Sequence, residues 1–166
     1  MNLKMNIGII IIFSNNAADI NARAFVESIK STNYIKMCFV DNESKDETLD
    51  KLLEIKEACE DKVAVVQIKK KVGRESAKRA GARFMFNDFD LKHIGFIDTH
   101  SLMEHNYNIN EMLNALCVER DKIIAFNNEN KRKQHIKSTL FKSIFSVLDY
   151  FKSQDSNKNN IQQSIF

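Results

Sequence analysis

Proline is absent from this chain, glycine occurs four times and cysteine three times. The missing proline goes with an abundance of Asn, Lys and Ile and points to an AT-rich coding sequence rather than to a structural specialisation. The three cysteines, Cys38, Cys59 and Cys117, form an odd set without a CxxC pair. That excludes a secreted disulfide scaffold and a zinc ribbon and fits a reducing cytoplasm. The first strand-to-helix turn, Phe13-Ser14-Asn15-Asn16-Ala17, contains no glycine, and no P-loop lysine signature occurs anywhere. Dinucleotide sites of the Rossmann type and P-loop ATP sites are thereby excluded. Charge of one sign is also scarce: the net charge is +3, too small to make the whole protein a nucleic-acid binder. The longest apolar run, Ile7 to Phe13, is too short to cross a bilayer and has no small-residue cleavage site after it.

What is present suits one folded domain. The chain has 166 residues, 43% of them hydrophobic and 28% charged, enough to bury a core without a structural metal. Ile7–Phe13 is a β-branched run without alternation, the pattern of a strand covered on both faces. Further strands are expected at 34–40, 63–68, 93–97 and, briefly, 122–126. Helical spacing marks the segments from Ala17 to Ile29, from Leu49 to Ile55, from Gly73 to Phe86, and around Met112, Leu113 and Leu116. Ser44 and Asp46 are capping types before the second helix. Strand alternating with helix predicts a three-layer α/β/α fold with a mostly parallel central sheet. In such sheets ligands lie beyond the carboxyl ends of the strands. Ser14 to Asn16, Asp41-Asn42, the Lys69–Gly73 turn and Asp98 to His100 should therefore share one rim.

Residues 1–130 read as the α/β domain. From Lys131, a basic stretch with Ile136, Leu140, Ile144, Val147, Leu148 and Phe151 at helical intervals predicts an amphipathic helix over 131–152 of the same domain. A polar tail over 153–166 should be mobile or weakly docked. The basic helix would pack on the sheet, pair with a second copy, or touch a membrane surface peripherally. Lys69-Lys70-Lys71 reads as a solvated turn, and His93, His105 and His135 have no metal-ligand spacing.

The rim is rich in oxygen donors: Asp41, Asn42, Asp46 and Asp98, with His100 two residues beyond Asp98. Such groups suit a divalent cation and, through it, a phosphorylated ligand. Four segments in order then carry a resemblance. They are Ile9 to Asn16, a strand into an Asn turn; Asp41-Asn42-Glu43-Ser44-Lys45-Asp46-Glu47-Thr48; Gly73-Arg74-Glu75-Ser76-Ala77-Lys78-Arg79-Ala80-Gly81; and Phe96-Ile97-Asp98-Thr99-His100. Together they resemble the nucleotide-sugar-binding half of family-two glycosyltransferases, which have the GT-A (nucleotide-diphospho-sugar transferase) fold. Asn42 stands where that pattern has its second acid, Lys78 where it has arginine, and His100 where the D-x-D metal motif has its second Asp. A D-x-H variant occurs in polypeptide N-acetylgalactosaminyltransferases.

The resemblance implies a glycosyltransferase of hexosyl or N-acetylhexosaminyl type that binds a nucleotide sugar, in the first instance a UDP-sugar. Mn²⁺ or Mg²⁺ would be held by Asp98 and His100 and neutralise the leaving diphosphate. Ser14, Asn15, Asn16, Asp41, Asn42, Arg74, Lys78 and Asp98 are the expected substrate-binding residues, with Arg74 or Lys78 on the diphosphate. No catalytic base is identified; Glu104, Glu111 and Glu129 are candidates only by position in the chain. The acceptor is unassigned, nucleic acid is not expected as a partner, and a homo-oligomer is an open alternative. A non-catalytic nucleotide-sugar-binding module, or a rim for another phosphate compound, would fit the same residues.

Overall fold

A computed structural model describes residues 7–134 and 144–163. Strand β1 (Ile7–Phe13) is buried along its whole length, as a continuous Ile run requires once both faces of the sheet are covered. It lies in the middle of a five-stranded parallel sheet of order β3-β2-β1-β4-β5, with β2 Ile35–Asn42, β3 Val63–Ile68, β4 His93–Asp98 and β5 Ile144–Ser146. The register pairs Phe13 with Asp41 of β2 and Ile12 with Asp98 of β4. Two of the expected site acids thus flank the carboxyl end of the central strand.

The strand period of two divides the core. Ile7, Ile9, Ile11 and Phe13 join Met37 and Phe39 in one cluster, filled from outside by residues of α1 (Ala22–Ser31), α2 (Thr48–Ala58) and α5 (Ile109–Val118). Within it Phe13, Phe25 and Phe39 form a three-ring contact with centroids 5.4 to 6.5 Å apart. Ile10, Ile12, Cys38 and Val40 face the other way, onto α3 (Arg74–Asp88). At Gly81, a Cβ would lie 2.7 Å from Ile10 Cγ2 and 3.0 Å from Val40 Cγ2, so α3 rests directly on β1 and β2. No such reason holds at Gly73, where a Cβ would meet nothing within 4 Å. The layering is the three-layer α/β/α arrangement that the alternation predicts.

The chain departs from expectation after α5. The segment 122–126, expected as a strand, belongs to helix α6 (Arg120–Gln134). Its buried residues Arg120, Ile123 and Asn127 recur at three and four, so a helical face outweighs the strand preference of the two isoleucines. The fifth strand is instead the three residues of β5, which pair with Ile94, Gly95 and Phe96. The expected single helix over 131–152 is also corrected: 131–134 end α6, 144–146 form β5, and 147–152 begin α7 (Val147–Gln163). Ile136, Leu140 and His135 lie outside the described residues. Residues 153–163, expected as a loose tail, continue α7. Tyr150 anchors that helix, buried against Phe126 and Phe151 and donating its hydroxyl to Glu119 Oε2 at 2.9 Å.

Candidate functional site

The loops at the carboxyl ends of β1, β2, β3 and β4 are bound to one another by side chains. Asn15, at φ 54°, donates its amide to Ser44 Oγ (2.9 Å) and accepts from the Lys45 amide (2.7 Å). Asn16 is buried; its amide donates to Thr48 Oγ1 at 2.7 Å, and its Oδ1 accepts from the Ser14 amide at 2.8 Å. Thr99, which opens α4 (Thr99–Glu104), places Oγ1 2.9 Å from the Ile12 carbonyl and 2.8 Å from Asn16 Oδ1. The Ser14–Asn16 turn is therefore a tie between β1, the β2–α2 loop and α4, and its polar groups are largely consumed by the fold.

Asp46 belongs to the same tie. Its Oδ2 accepts the Ala17 amide at 3.0 Å, and its Oδ1 accepts the amide and hydroxyl of Thr48 at 3.0 and 2.6 Å. Partial burial pushes its pKa up, but these hydrogen bonds from Thr48 and Ala17 together leave it below the usual Asp value of 3.8. Helix α2 begins at Thr48, after Glu47, with no side-chain cap at Glu47. Ser44 is taken by Asn15, so of the two expected caps only Asp46 bonds the helix start.

Asp41 and Asn42 are neighbours with opposite fates. Alternation places Asp41 on the α1–α2 side and Asn42 on the α3 side. Asp41 is 1% exposed, and its Oδ1 has no hydrogen-bond partner. Asn42 makes a reciprocal pair with Val72, Nδ2 to carbonyl at 2.8 Å and amide to Oδ1 at 3.1 Å, which fixes the β3–α3 turn. It holds a loop with one of its two N–H groups and its oxygen.

Across β1, Asp98 receives Arg74 from the first turn of α3, Nε to Oδ2 at 2.9 Å. Ser101 Oγ donates to the same oxygen at 3.2 Å, and the His100 amide approaches Oδ1 at 3.3 Å, so Asp98 also caps α4. The His100 imidazole lies elsewhere, with Nε2 3.2 Å from Glu104 Oε1. Lys78 is mostly covered; its ammonium sits 2.9 Å from Glu75 and 4.5 Å from the centre of the Phe96 ring.

A cleft of about 250 Å³ opens beside Arg74 and Asp98, walled by Phe96 and Leu148 and reached by Glu104, His105, Asp149 and Lys152. Of the three carboxylates proposed by chain position, only Glu104 is here: Glu111 lies by α1, and Glu129 pairs with Lys133 at 2.9 Å. Asp149 was not signalled by any motif. It comes to the cleft because β5 places α7 alongside β4, and a strand of three residues leaves little trace in a sequence. Burial raises the thiols of Cys38 and Cys117, to about 12 and about 11, so neither supplies a thiolate nucleophile.

Among the described residues no three His, Cys, Asp or Glu side chains gather to enclose a metal ion. At the end of β4 the Asp98 carboxylate is held by Arg74 while the His100 ring is turned to Glu104, so a cation here would need most of its ligands from a bound molecule. Nor, among those residues, is any helix long and apolar enough to cross a membrane.

The family model for Glycosyl transferase family 2 matches residues 9–163. No curated protein matches the chain. Similar solved structures include the mannosyltransferase PcManGT from Pyrobaculum calidifontis in complex with GDP-Man and Mn²⁺, at 19% identity and TM-score 0.43, covering 50% of this chain and 25% of that one. Another is S. aureus TarS 1-349, at 14% identity and TM-score 0.45, covering 61% of this chain and 31% of that one. The matched part therefore spans between a quarter and a third of each of those proteins.

Proposed function

This chain belongs to glycosyl transferase family 2, and on that footing we propose that its rim binds a nucleotide sugar, in the first instance a UDP-sugar, and passes the sugar to an acceptor hydroxyl. The observation that carries the reading is the unpartnered Oδ1 of Asp41, buried at a strand end. A buried acceptor without a donor costs on the order of 1–3 kcal/mol, a cost that a ligand N–H would remove. Uracil offers one such donor between two carbonyls, and guanine offers two along one edge.

Asp41 and Asp98 end strands that lie on either side of β1, ~10 Å apart at ordinary strand spacing. One nucleoside diphosphate lying across these strand ends would put its base at Asp41 and its phosphates near Arg74. The guanidinium would hold phosphate oxygens as it now holds the carboxylate. Lys78, with its charge met by Glu75 and Phe96, adds to the field from farther back. Asp98 and His100 are the residues that would hold Mn²⁺ or Mg²⁺, which when bound neutralises charge on the departing diphosphate.

In the transfer, the bond from the anomeric carbon to the diphosphate oxygen breaks and a bond from that carbon to the acceptor oxygen forms. The acceptor proton goes to a carboxylate, and Glu104 and Asp149 are those that line the adjoining cleft. Calorimetry with UDP-, GDP- and other nucleotide sugars, with Mn²⁺ and with chelator, tests donor binding, and release of nucleoside diphosphate with candidate acceptors tests transfer. Absence of binding to any nucleotide sugar would sink the reading, and binding without transfer would identify a non-catalytic module.

A further inference from the structure

Between residues 69 and 83 the chain has seven Lys and Arg and one acid, Glu75, a net charge of +6 against +3 for the whole, so the rest sums to −3. Two of the seven are engaged, Arg74 by Asp98 and Lys78 by Glu75. Lys71 donates its amide to Glu43 and shares that carboxylate with Lys45. Lys69, Lys70, Arg79 and Arg83 are exposed and make no ion pair among the described residues. Arg79 and Arg83 stand one turn apart on the side of α3 opposite Ala77, Gly81 and Met85, which face the sheet. Half-buried Phe86 follows three residues after Arg83, on the same flank.

We propose that this face, the Lys69–Lys71 turn with the outer surface of α3, docks on an anionic lipid bilayer. These four cations, Lys69, Lys70, Arg79 and Arg83, are exposed and spread over a turn and a helix face, whereas a single small anion needs a concave, pre-arranged pocket. Their number suits an extended array of phosphate headgroups. The contact also differs from the basic 131–133 end of α6, where Lys133 is already paired with Glu129. Because Asn42 fastens the turn at Val72, docking would bring the Arg74 and Asp98 end of the rim close to the lipid surface.

The full chain is sedimented with vesicles of phosphatidylcholine alone and of phosphatidylcholine mixed with phosphatidylglycerol. Binding is expected only to the anionic vesicles, with release as salt is raised. The combined variant Lys69→Gln, Lys70→Gln, Arg79→Gln, Arg83→Gln should lower partitioning by roughly tenfold or more, and a Lys131→Gln, Arg132→Gln, Lys133→Gln variant should bind like the parent. Circular dichroism and melting of each variant show that the fold is kept. Equal binding to neutral vesicles, undiminished binding by the first variant, or tighter binding to a short RNA or DNA duplex at the same salt would each overturn the proposal.

Discussion

The side chain of Asn42 meets the backbone of Val72 as one strand meets another, with a donor and an acceptor exchanged at 2.8 and 3.1 Å. A carboxylate at that place could accept but not donate, which accounts for an amide where the family-like motif has an acid. Asn42→Asp and Asn42→Ala should both lower stability, by about 1–3 kcal/mol for the stranded backbone groups. Thermal melting measures this, and an unchanged melting temperature for either variant would contradict the role of a loop fastener.

Asp41 gives the opposite sign. Its buried Oδ1 lacks a donor, so Asp41→Asn relieves a cost in the unliganded protein while converting an anionic acceptor into a mixed donor and acceptor. Stability is expected to hold or rise, and affinity for a uridine nucleotide to fall by roughly tenfold or more, the equivalent of one hydrogen bond to a charged group. A variant that melts lower and binds normally would remove Asp41 from the ligand site.

Arg74 and Asp98 should respond differently to metal. Arg74→Ala is expected to weaken diphosphate binding with and without Mn²⁺, since it removes a guanidinium. Asp98→Ala should abolish the gain in affinity that Mn²⁺ brings and leave metal-free binding largely intact. Calorimetric titration of UDP with each variant, in Mn²⁺ and in chelator, separates the two. A Mn²⁺ effect of full size in Asp98→Ala would exclude that carboxylate as a ligand.

The strands and helices up to α5, apart from the short α4, were legible because each has its own signal: an unbroken Ile run, apolar residues at three and four, turns of Asn, Asp and Ser. The rim was legible as a place, since parallel strands must end on one side. What the residues do there was less so. Ser14, Asn16 and Asp46 have the chemistry of ligands, yet the Ser14 hydroxyl meets the Asn42 carbonyl, Asn16 meets Thr48 and Thr99, and Asp46 meets Ala17, all distant in sequence. His100 follows Asp98 by two, but the helix that begins between them turns its ring to Glu104. After α5 the local signals mislead, because Ile123 and Ile124 favour a strand that helical packing overrides, and β5 is too short to announce itself.

His93 makes stability depend on pH. It is 7% exposed with Nδ1 unpartnered, and burial first, then Lys131 and Lys92, lowers its pKa from 6.5. In the folded state the neutral ring persists at pH values where the unfolded chain is already protonated. Unfolding then takes up protons, so stability is full above about 6.5 and declines as pH falls below it, by at most about 1.4 kcal/mol per pH unit. Denaturant melts between pH 5 and 8 should show this slope, reduced in His93→Leu. An equal slope in that variant would assign it to other groups.

The place of β1 between β2 and β4 also bears on the birth of the protein. Thr99 closes on the carbonyl of Ile12 across 87 positions, so β1 waits for β4 to be synthesised before its second edge is covered. Parallel pairings of such long range form slowly, and until they form an edge rich in isoleucine stands open to other chains. No shorter nascent fragment holds both Asp41 and Asp98 in place. A nucleotide bound as proposed at Asp41 and Asp98 would therefore first grip the chain after residue 99 has emerged, and its presence would favour completion of the sheet over aggregation.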